Sequence, residues 1–460
     1  MGRRYAPIAA LLLAGCGQSA QLNVAEVQGP NPRIVAPSKS LLPTVNIADV
    51  KGWQAGEMPQ PAQGLAVNAF AAGLDHPRWL LALPNGDVLV AESNKPPQPK
   101  DKQGGLKGWL MRLFMKKAGA GVPSADRITL LRDADGDGVA EVKTAFLTGL
   151  RSPFGMALVG NTLYVANADA LVAFPYVEGE TRIDAAPRTI ASLPAGRNHH
   201  WTKSLVASAD GSRLYVGVGS NSNIAEHGLA EEDNRAAILE IDPATGATRV
   251  FASGLRNPVG LDWNQQSGAL WVAVNERDEI VSDLPPDYMT SVKPGGFYGW
   301  PWSYWGKNVD ARIDPPRPEM VARALTPDYA LGPHTASLGL TFSDGARLGP
   351  VLANGAFIGQ HGSWNRKPRS GYKVIFVPFD GGKPAGMPID ILTGFLGSDD
   401  QVRGRPVGVA IGKDGALLVA DDVGNIAWRV SNPRAAGPRP RSLGEPYAAT
   451  SGRARSGGRE

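Results

Sequence analysis

The sequence of 460 residues predicts an all-β protein: a six-bladed β-propeller with long insertions between its strands. The composition supports this fold, because the chain combines 56 Gly and 38 Pro, which favour turns, with 43% hydrophobic residues, which can fill a large core. A recurring unit supports it further. Each copy has a turn with Pro or His, an apolar strand, a Gly, Asn or Asp turn, and a strand that ends in small polar residues.

The recurring unit occurs six times, and each copy predicts a hairpin of one blade. The copies begin at Leu74, Gly149, His199, Gly254, His334 and Gly404. We therefore predict a propeller domain over residues 64–431. The copies are roughly 50 to 85 residues apart, so long insertions join some of the strands. One insertion, residues 106–117, predicts a short basic amphipathic helix that packs on the propeller or contacts anionic lipid.

The N-terminus has the features of a bacterial lipoprotein signal. Two arginines precede an apolar run from Ile8 to Leu13, which is too short to span a membrane. Cys16, the only cysteine, follows at the position that such proteins lipidate, so an intrachain disulfide is excluded. We expect residues 1–16 to direct export to the periplasm and Cys16 to anchor the protein to a membrane, an ordinary signal peptide being the alternative. Residues 17–63, rich in Pro and Gln, predict a tether.

The net charge of +4 does not indicate a nucleic-acid-binding protein. Residues 432–460 contain six Arg and two Glu, which accounts for the whole surplus and leaves the rest of the chain balanced. This Gly/Pro/Arg/Ser segment predicts a disordered basic tail. The propeller itself therefore has no expected basic footprint for a nucleic acid.

Polar residues at the strand ends predict a site at one mouth of the propeller channel. Arg256 and Asn257 stand together in a turn between two strands, and equivalent loops of a propeller converge on one end of the channel. The candidates for this site are His200, Arg256, Asn257, His361, Arg366, Arg403 and Arg405. Several cations in one place need an anionic partner, and a small ligand with carboxylate or phosphate groups would supply it.

Two loops offer the oxygen ligands that Ca²⁺ prefers. Residues 275–279 follow a buried strand and provide carboxylates and carbonyls. Asp133, Asp135 and Asp137 match the first half of an EF-hand-like loop, although Thr144 stands at the twelfth position in place of Glu. This second loop predicts either a structural calcium site or a metal-free turn.

These segments together resemble the soluble quinoprotein sugar dehydrogenases, in particular the sorbosone dehydrogenase-like branch of the glucose/sorbosone dehydrogenase family. The resemblance covers residues 65–430 and is most specific in four segments: 254–263, 295–301, 360–366 and 403–405. It implies a six-bladed propeller that binds pyrroloquinoline quinone (PQQ) and Ca²⁺. PQQ carries three carboxylates, which are the kind of partner that the cationic residues require.

The resemblance also implies roles for individual residues. His200, rather than the adjacent His199, takes the place of the general base. Arg256 and Asn257 stand where the family contacts the quinone oxygens. The remaining cofactor contacts implied are Arg366, Arg403 and Arg405 as carboxylate clamps, with His361 and with Arg151 or Ser152 nearby. The backbone carbonyls of Glu276 and Arg277 are implied as ligands of the active-site Ca²⁺.

One departure from the family concerns the general base. Where the glucose enzymes have an Asp that orients the base, this chain has Ser220, which can accept a hydrogen bond but carries no charge. The implied function is oxidation of a sugar, or of an aldehyde or alcohol derived from one, with electrons passed to a cytochrome or quinone. Two alternatives stay open: a non-catalytic periplasmic binding propeller, and a Ca²⁺-dependent lactonase or esterase on the same fold.

Overall fold

Six antiparallel sheets stand around one axis, which confirms the predicted all-β, six-bladed β-propeller. The computed structural model describes residues 19–37, 44–97 and 121–435. The first strand of each blade, called here the inner strand, packs against the inner strands of the neighbouring blades. The next strand, called the second strand, is sandwiched between blades. It is therefore mostly apolar, and Leu214–Val218 illustrates this with every residue buried.

The strands of each blade are given from the axis outward. Blade 1 consists of Pro77–Ala82, Val88–Glu92, Arg127–Arg132 and Val142–Leu147. Blade 2 consists of Met156–Val159, Thr162–Ala166, Ala170–Pro175 and Arg188–Ser192. Blade 3 consists of Lys203–Ala207, Leu214–Val218, Ala237–Ile241 and Thr248–Ser253.

Blades 4 to 6 follow the same order. Blade 4 consists of Pro258–Asn264, Ala269–Val274, Pro286–Ser291 and Tyr329–Pro333. Blade 5 consists of Ser337–Phe342, Gly355–Gln360, Lys373–Asp380 and Ile389–Thr393, with Gln60–Pro61 on its outer edge and Lys383–Pro384 beside its third strand. Blade 6 consists of Pro406–Ile411, Leu417–Asp421, Ile426–Ser431 and Ala66–Ala72. Outside the blades are the hairpin Ser303–Tyr304 with Asn308–Val309, the α-helix Pro318–Arg323, and the 3₁₀ helices Val24–Glu26, Leu229–Glu232 and Pro350–Leu352.

The ring is closed by a strand from the N-terminal side of the propeller. Ala66–Ala72 pairs antiparallel with Ile426–Ser431 and so supplies the outer strand of blade 6. The first and last strands of the domain are thus hydrogen-bonded to each other. The blade sheet that they share leaves no gap between blade 6 and blade 1, because the inner strands of these blades also pack together.

Glycines allow the inner strands to approach each other closely at the axis. A Cβ atom added to Gly260 would lie 2.6 Å from the backbone nitrogen of Leu340 in the next blade. One added to Gly408 would lie 2.7 Å from the carbonyl oxygen of Arg78. One added to Gly339 would overlap the carbonyl oxygen of Val407. Backbone atoms at these points cannot move aside, so only glycine fits between neighbouring blades.

The segment predicted as a tether is, in its described part, packed against the propeller. Val27 and Ala48 are buried, and Gln60–Pro61 pairs with the outer strand of blade 5. The Trp53 ring packs edge-on against Phe395 and Trp428. The prediction of a free tether over residues 17–63 is therefore corrected, because apolar side chains and backbone hydrogen bonds within this segment find partners on the blades.

Several sequence predictions lie outside the described residues. These are the signal sequence with Cys16, the amphipathic helix at residues 106–117, and most of the basic tail. None of the helices in the described part of the chain has the length and apolar character needed to cross a membrane.

The close approach of the inner strands predicts that a side chain at Gly339 destabilises the fold. We expect Gly339→Ala to lower the free energy of unfolding by about 1–3 kcal/mol, because the added methyl group meets fixed backbone of blade 6. Urea titration measures the change. Gly412→Ala serves as a control, since the nearest atom to its added Cβ belongs to the side chain of Asp414, which can rotate away. Equal losses in the two variants would contradict this account of the axis.

Candidate functional site

Two sets of turns meet at one mouth of the channel. One set precedes the inner strands, and the other follows the second strands, because paired antiparallel strands bring these ends together. Polar residues in the first set adopt left-handed backbone angles that His, Asn and Ser tolerate: His76 (φ 55°), Ser152 (φ 45°), Asn198 (φ 45°) and His334 (φ 56°). These turns aim side chains across the mouth.

The imidazole of His200 is held in one orientation by the turn that follows the second strand of blade 3. Its Nδ1 lies 2.8 Å from the carbonyl oxygen of Ser220 and 3.1 Å from Ser220 Oγ. The Ser220 hydroxyl donates its own proton to the carbonyl of Ser222, at 2.6 Å, so it can only accept from His200. Nδ1 therefore carries the proton, and Nε2 keeps a free lone pair.

His200 is uncharged near neutral pH. Burial lowers the pKa of His200 well below its usual value, and the nearby charge of Arg256 lowers it further. A neutral imidazole with its Nε2 lone pair available is the form in which a general base works.

The Arg256 guanidinium is buried beside His200 and has several partners. Nη1 donates to the carbonyl oxygen of Glu276 at 2.6 Å, and Nη2 donates to Asn223 Oδ1 at 2.9 Å. Nη2 also lies 3.3 Å from a carboxylate oxygen of Asp278. The side chain is 2% exposed, so its position and charge are fixed by these contacts.

Asn257 has an unpartnered polar atom beside His200. Its Oδ1 is buried and has no hydrogen-bond partner among the described residues. A Cβ added to Gly219 would overlap both this oxygen and the Cβ of His200, so the amide lies directly beside the imidazole. A buried amide oxygen without a hydrogen bond costs free energy, so Asn257 is a candidate contact for a ligand in the mouth.

A carboxylate of the 275–279 loop, Asp278, links blades 4 and 5 at the mouth. Asp278 accepts a hydrogen bond from Asn365 Nδ2 at 2.8 Å and lies 3.7 Å from Nδ1 of His334. Burial raises the pKa of Asp278, but His334 and the Arg256 charge outweigh burial and leave the pKa below its usual value. Asp278 therefore remains ionised and balances the Arg256 guanidinium.

Asp422, which was not predicted as a site residue, is the centre of a cluster of charged and polar side chains between blades 1, 5 and 6. Its carboxylate accepts from His361 Nε2 at 3.0 Å, pairs with Arg78 Nη1, and lies 3.6 Å from His76 Nε2. His361, Arg78 and His76 together outweigh burial and lower the pKa of Asp422. A signal was present in the sequence, since Asp422 directly follows the second strand of blade 6, as the other polar strand ends do.

Arg405 lies next to His361 and has donors to spare. Its Nη1 makes long contacts with the carbonyl oxygens of His361, at 3.4 Å, and Gly362, at 3.5 Å, while its Nε is buried without a partner. The guanidinium carbon lies 5.0 Å from the ring centre of Tyr372. Arg405 is thus a positioned cation with no carboxylate partner among the described residues, as an anion-binding residue would be.

Three arginines that the resemblance placed at the cofactor are engaged elsewhere. Arg366 donates to the carbonyl of Ser282 at 2.9 Å and pairs with Asp283 at 3.3 Å. Arg403 pairs with Asp399 at 2.9 Å and with Glu57 at 3.4 Å. Arg151 is 69% exposed and pairs with Asp169 at 3.0 Å. Protein carboxylates therefore already balance the charges of these three side chains.

The geometry at Glu276 and Arg277 does not fit the calcium site that the resemblance implied. The Glu276 carbonyl oxygen accepts from Arg256, so a positive charge stands where the ion would have to bind. The Arg277 guanidinium is fully buried between Glu276, at 3.0 Å, and Asp310, at 3.1 Å. In the structure this loop is a buried ion-pair network, and the Glu276 carbonyl oxygen already accepts a hydrogen bond from Arg256, so these residues do not fit the implied Ca²⁺ site as they stand.

The acidic loop of blade 1 has the oxygen ligands for a cation. Oxygens of Asp133, Asp135, Asp137 and Glu141 lie within 4.8 Å of one another, the one such group among the described residues. Glu141, which the sequence analysis did not assign, supplies a carboxylate that Thr144 cannot. A structural Ca²⁺ at this loop stays a prediction.

Comparisons with known proteins give the following matches. A family model described as a domain of unknown function (DUF7133) matches residues 83–426. An uncharacterized protein of Borreliella burgdorferi is 28% identical over 292 residues, which cover 61% of this chain and 76% of that protein. A pyrroloquinoline quinone-dependent pyranose dehydrogenase of Coprinopsis cinerea is 27% identical over 238 residues, which cover 41% of this chain but only 31% of that protein.

Among solved structures, an iodide structure of the Trichoderma reesei Carbohydrate-Active Enzymes Family AA12 has the same fold. Its TM-score is 0.65 at 19% identity, and the match covers 86% of this chain and 100% of that one. At this identity the likeness establishes the propeller fold.

The buried histidines predict a stability loss in acid. Burial lowers the pKa of His361 to about 4 despite the Asp422 carboxylate, whereas an unfolded histidine titrates near 6.5. Its contribution is therefore present above pH 6.5 and is lost as the pH falls toward 4, by about 1.4 kcal/mol per pH unit. We expect the unfolding free energy of His361→Gln to decline less steeply than that of the natural protein between pH 6.5 and 5, as measured by urea titration. Identical slopes would contradict this prediction.

The acidic loop predicts a calcium-dependent melting temperature. At a Ca²⁺ concentration of 100 times Kd, a site that binds only the folded state adds about 2.7 kcal/mol. We expect Ca²⁺ to raise the melting temperature of the natural protein and Asp135→Asn to abolish that rise. Asp210→Asn, which neutralises a fully exposed carboxylate elsewhere, is the matched control and keeps the response. A response that Asp135→Asn leaves intact would place the ion elsewhere.

Proposed function

The chain belongs to the DUF7133 family, and from this premise and the geometry of the mouth we propose that it is a PQQ-dependent dehydrogenase of a sugar or of a sugar-derived alcohol or aldehyde. The observation that carries the proposal is the fixed imidazole of His200, with a free Nε2 lone pair, beside Arg256 and the unpartnered amide of Asn257. The names of the Coprinopsis cinerea relative and of the Trichoderma reesei family are consistent with chemistry on carbohydrates.

The residues at the mouth fit a cofactor with several carboxylates. Arg405 has a buried Nε without a partner, and Asn257 has a buried amide oxygen without one. Asn257 and Arg405 directly precede the inner strands of blades 4 and 6, so both lie at the same mouth with blade 5 between them. We propose that Arg405 binds a carboxylate of PQQ and that Arg256 and the Nδ2 of Asn257 donate hydrogen bonds to its quinone oxygens.

The chain's own residues would perform the proton chemistry. His200 Nε2 accepts the proton of a substrate hydroxyl, or of an aldehyde hydrate, while Nδ1 keeps its hydrogen bond to Ser220. PQQ, when bound, would accept the hydride from the carbon that bears this hydroxyl, so that an alcohol becomes a carbonyl compound. The Arg256 guanidinium, held by Asp278 and Glu276, places a fixed positive charge where negative charge develops. No step here requires Ca²⁺.

Substrate and setting are further parts of the proposal. Sorbosone-like or aldose substrates are proposed from the resemblance, with a cytochrome or quinone as electron acceptor. We also propose that the protein is exported and that a lipid on Cys16 anchors it to a membrane.

Two substitutions test the cofactor assignment. We expect Arg405→Gln to weaken PQQ binding about tenfold to a hundredfold, the range lost with one charge-assisted hydrogen bond. Arg403→Gln, in a neighbouring residue that pairs with Asp399 and Glu57, is the control and leaves the affinity unchanged. Absorbance titration with PQQ measures both. A loss of affinity in Arg403→Gln alone would support the family-based assignment over the structural one.

A third substitution tests the base. We expect His200→Gln to bind PQQ but to reduce kcat by about 10²–10⁴-fold, the usual contribution of a positioned base. Dye reduction with a panel of aldoses measures kcat. Absence of PQQ binding and of activity in the natural protein would contradict the proposed function and leave the non-catalytic binding propeller.

A further inference from the structure

The orientation of His200 depends on a turn that has no charged side chain of its own at the imidazole. The carbonyl oxygen of Ser220 accepts a hydrogen bond from Nδ1 of His200. Its neighbours Gly219, Asn221 and Ser222 complete the turn. The Ser220 backbone nitrogen donates to the carbonyl oxygen of Arg256 at 2.8 Å, and side chains from another segment hold the residues on either side of Ser220. The groups that fix this turn therefore decide whether the Nε2 lone pair faces the mouth.

Glu232 holds the turn from behind. Its Oε2 accepts from the backbone nitrogen of Asn221 at 2.6 Å, and its Oε1 accepts from Ser222 Oγ. The side chain is 8% exposed and ends the 3₁₀ helix Leu229–Glu232. The Glu232 carboxylate thus accepts hydrogen bonds from Asn221 and Ser222. The carbonyl oxygen of Ser222 in turn accepts from the Ser220 hydroxyl.

Arg235 holds the other side of the same turn. Its Nη1 donates to the carbonyl of Gly219 at 3.2 Å, and its Nη2 donates to Asn198 Oδ1 at 2.8 Å. Asn198 begins the turn that carries His200. The residues on both sides of the imidazole are therefore tied to the segment 229–235.

We propose that Glu232 is the positioning residue of the His200 base, and that it replaces the oriented carboxylate which Ser220 lacks. This inference rests on the proposed function for its kinetic consequence but not for its structural one. Glu232 acts through the backbone: it fixes the Ser220 carbonyl, which fixes the proton on Nδ1 and leaves Nε2 as the base. Buried hydrogen-bonded groups behind a reacting side chain set its orientation in this way.

The first readout is independent of any cofactor. Nitrogen NMR of histidine-labelled protein distinguishes an imidazole protonated at Nδ1 from one protonated at Nε2. We expect His200 to carry its proton at Nδ1 in the natural protein and to become a mixture of both tautomers in Glu232→Gln. Glu231→Gln is the matched control: it removes the same charge from the adjacent residue, whose carboxylate accepts from the side chain of Asn221 and not from the backbone of the turn, and it keeps the Nδ1 form.

The second readout is kinetic. In PQQ-loaded protein we expect Glu232→Gln to lower kcat about tenfold to a hundredfold, within the full contribution of a general base, while KM changes less than about threefold. Ser222→Ala, which removes one of the two contacts to Glu232, changes both readouts in the same direction by a smaller amount. It also keeps the test decisive if Glu232→Gln does not fold, which the melting temperature reveals.

The outcomes separate this inference from the proposed function. A mixed tautomer in Glu232→Gln supports the positioning role even if the natural protein oxidises no sugar. An unchanged Nδ1 tautomer in Glu232→Gln, or in Ser222→Ala where the former does not fold, overturns the inference even if the natural protein is an active dehydrogenase. Equal effects of Glu231→Gln and Glu232→Gln would also overturn it.

Discussion

Close contact between inner strands at the axis is the constraint on which the rest of the structure depends. Glycines such as Gly260 and Gly408 let the backbone of one blade touch the next, and the strand Ala66–Ala72 closes the ring. Because the inner strands are in close contact at the axis, the turns at their ends are held in place. That rigidity is what allows side chains from different blades to be placed against each other to within a hydrogen-bond length.

Charge balance governs what the mouth can bind. Asp278 and Asp422 neutralise Arg256 and Arg78, and burial keeps His200 and His361 uncharged. The groups left without partners among the described residues are therefore informative. A molecule that satisfies Arg405 Nε must offer an acceptor oxygen, such as a carboxylate, and one that satisfies Asn257 Oδ1 must offer a hydrogen-bond donor.

The replacement of a family carboxylate by Ser220 has a structural answer. A carbonyl oxygen can fix an imidazole tautomer as well as a carboxylate does, provided that its peptide is itself held. In this chain the holding groups, Glu232 and Arg235, come from a segment a dozen or so residues further on. The carboxylate that the imidazole of His200 lacks is thus replaced by the Glu232 carboxylate, which binds the turn on the side away from the imidazole. This arrangement also explains why the 3₁₀ helix at Leu229–Glu232 packs beneath the base.

The sequence by itself determined the fold and named candidate residues for the site. Strand patterns and turn residues are local signals, so the repeats predicted the six blades, and the turns before the inner strands singled out His200, Arg256 and Asn257. Only the tertiary structure decided which charged side chains are free. Arg78 and Asp422 are 344 residues apart, and Arg403 meets Glu57 from a segment predicted as a tether. Such pairings depend on ring closure and packing, which no local pattern records, and so the roles of Arg366, Arg403, Glu276 and Glu232 could not be settled before the chain was folded.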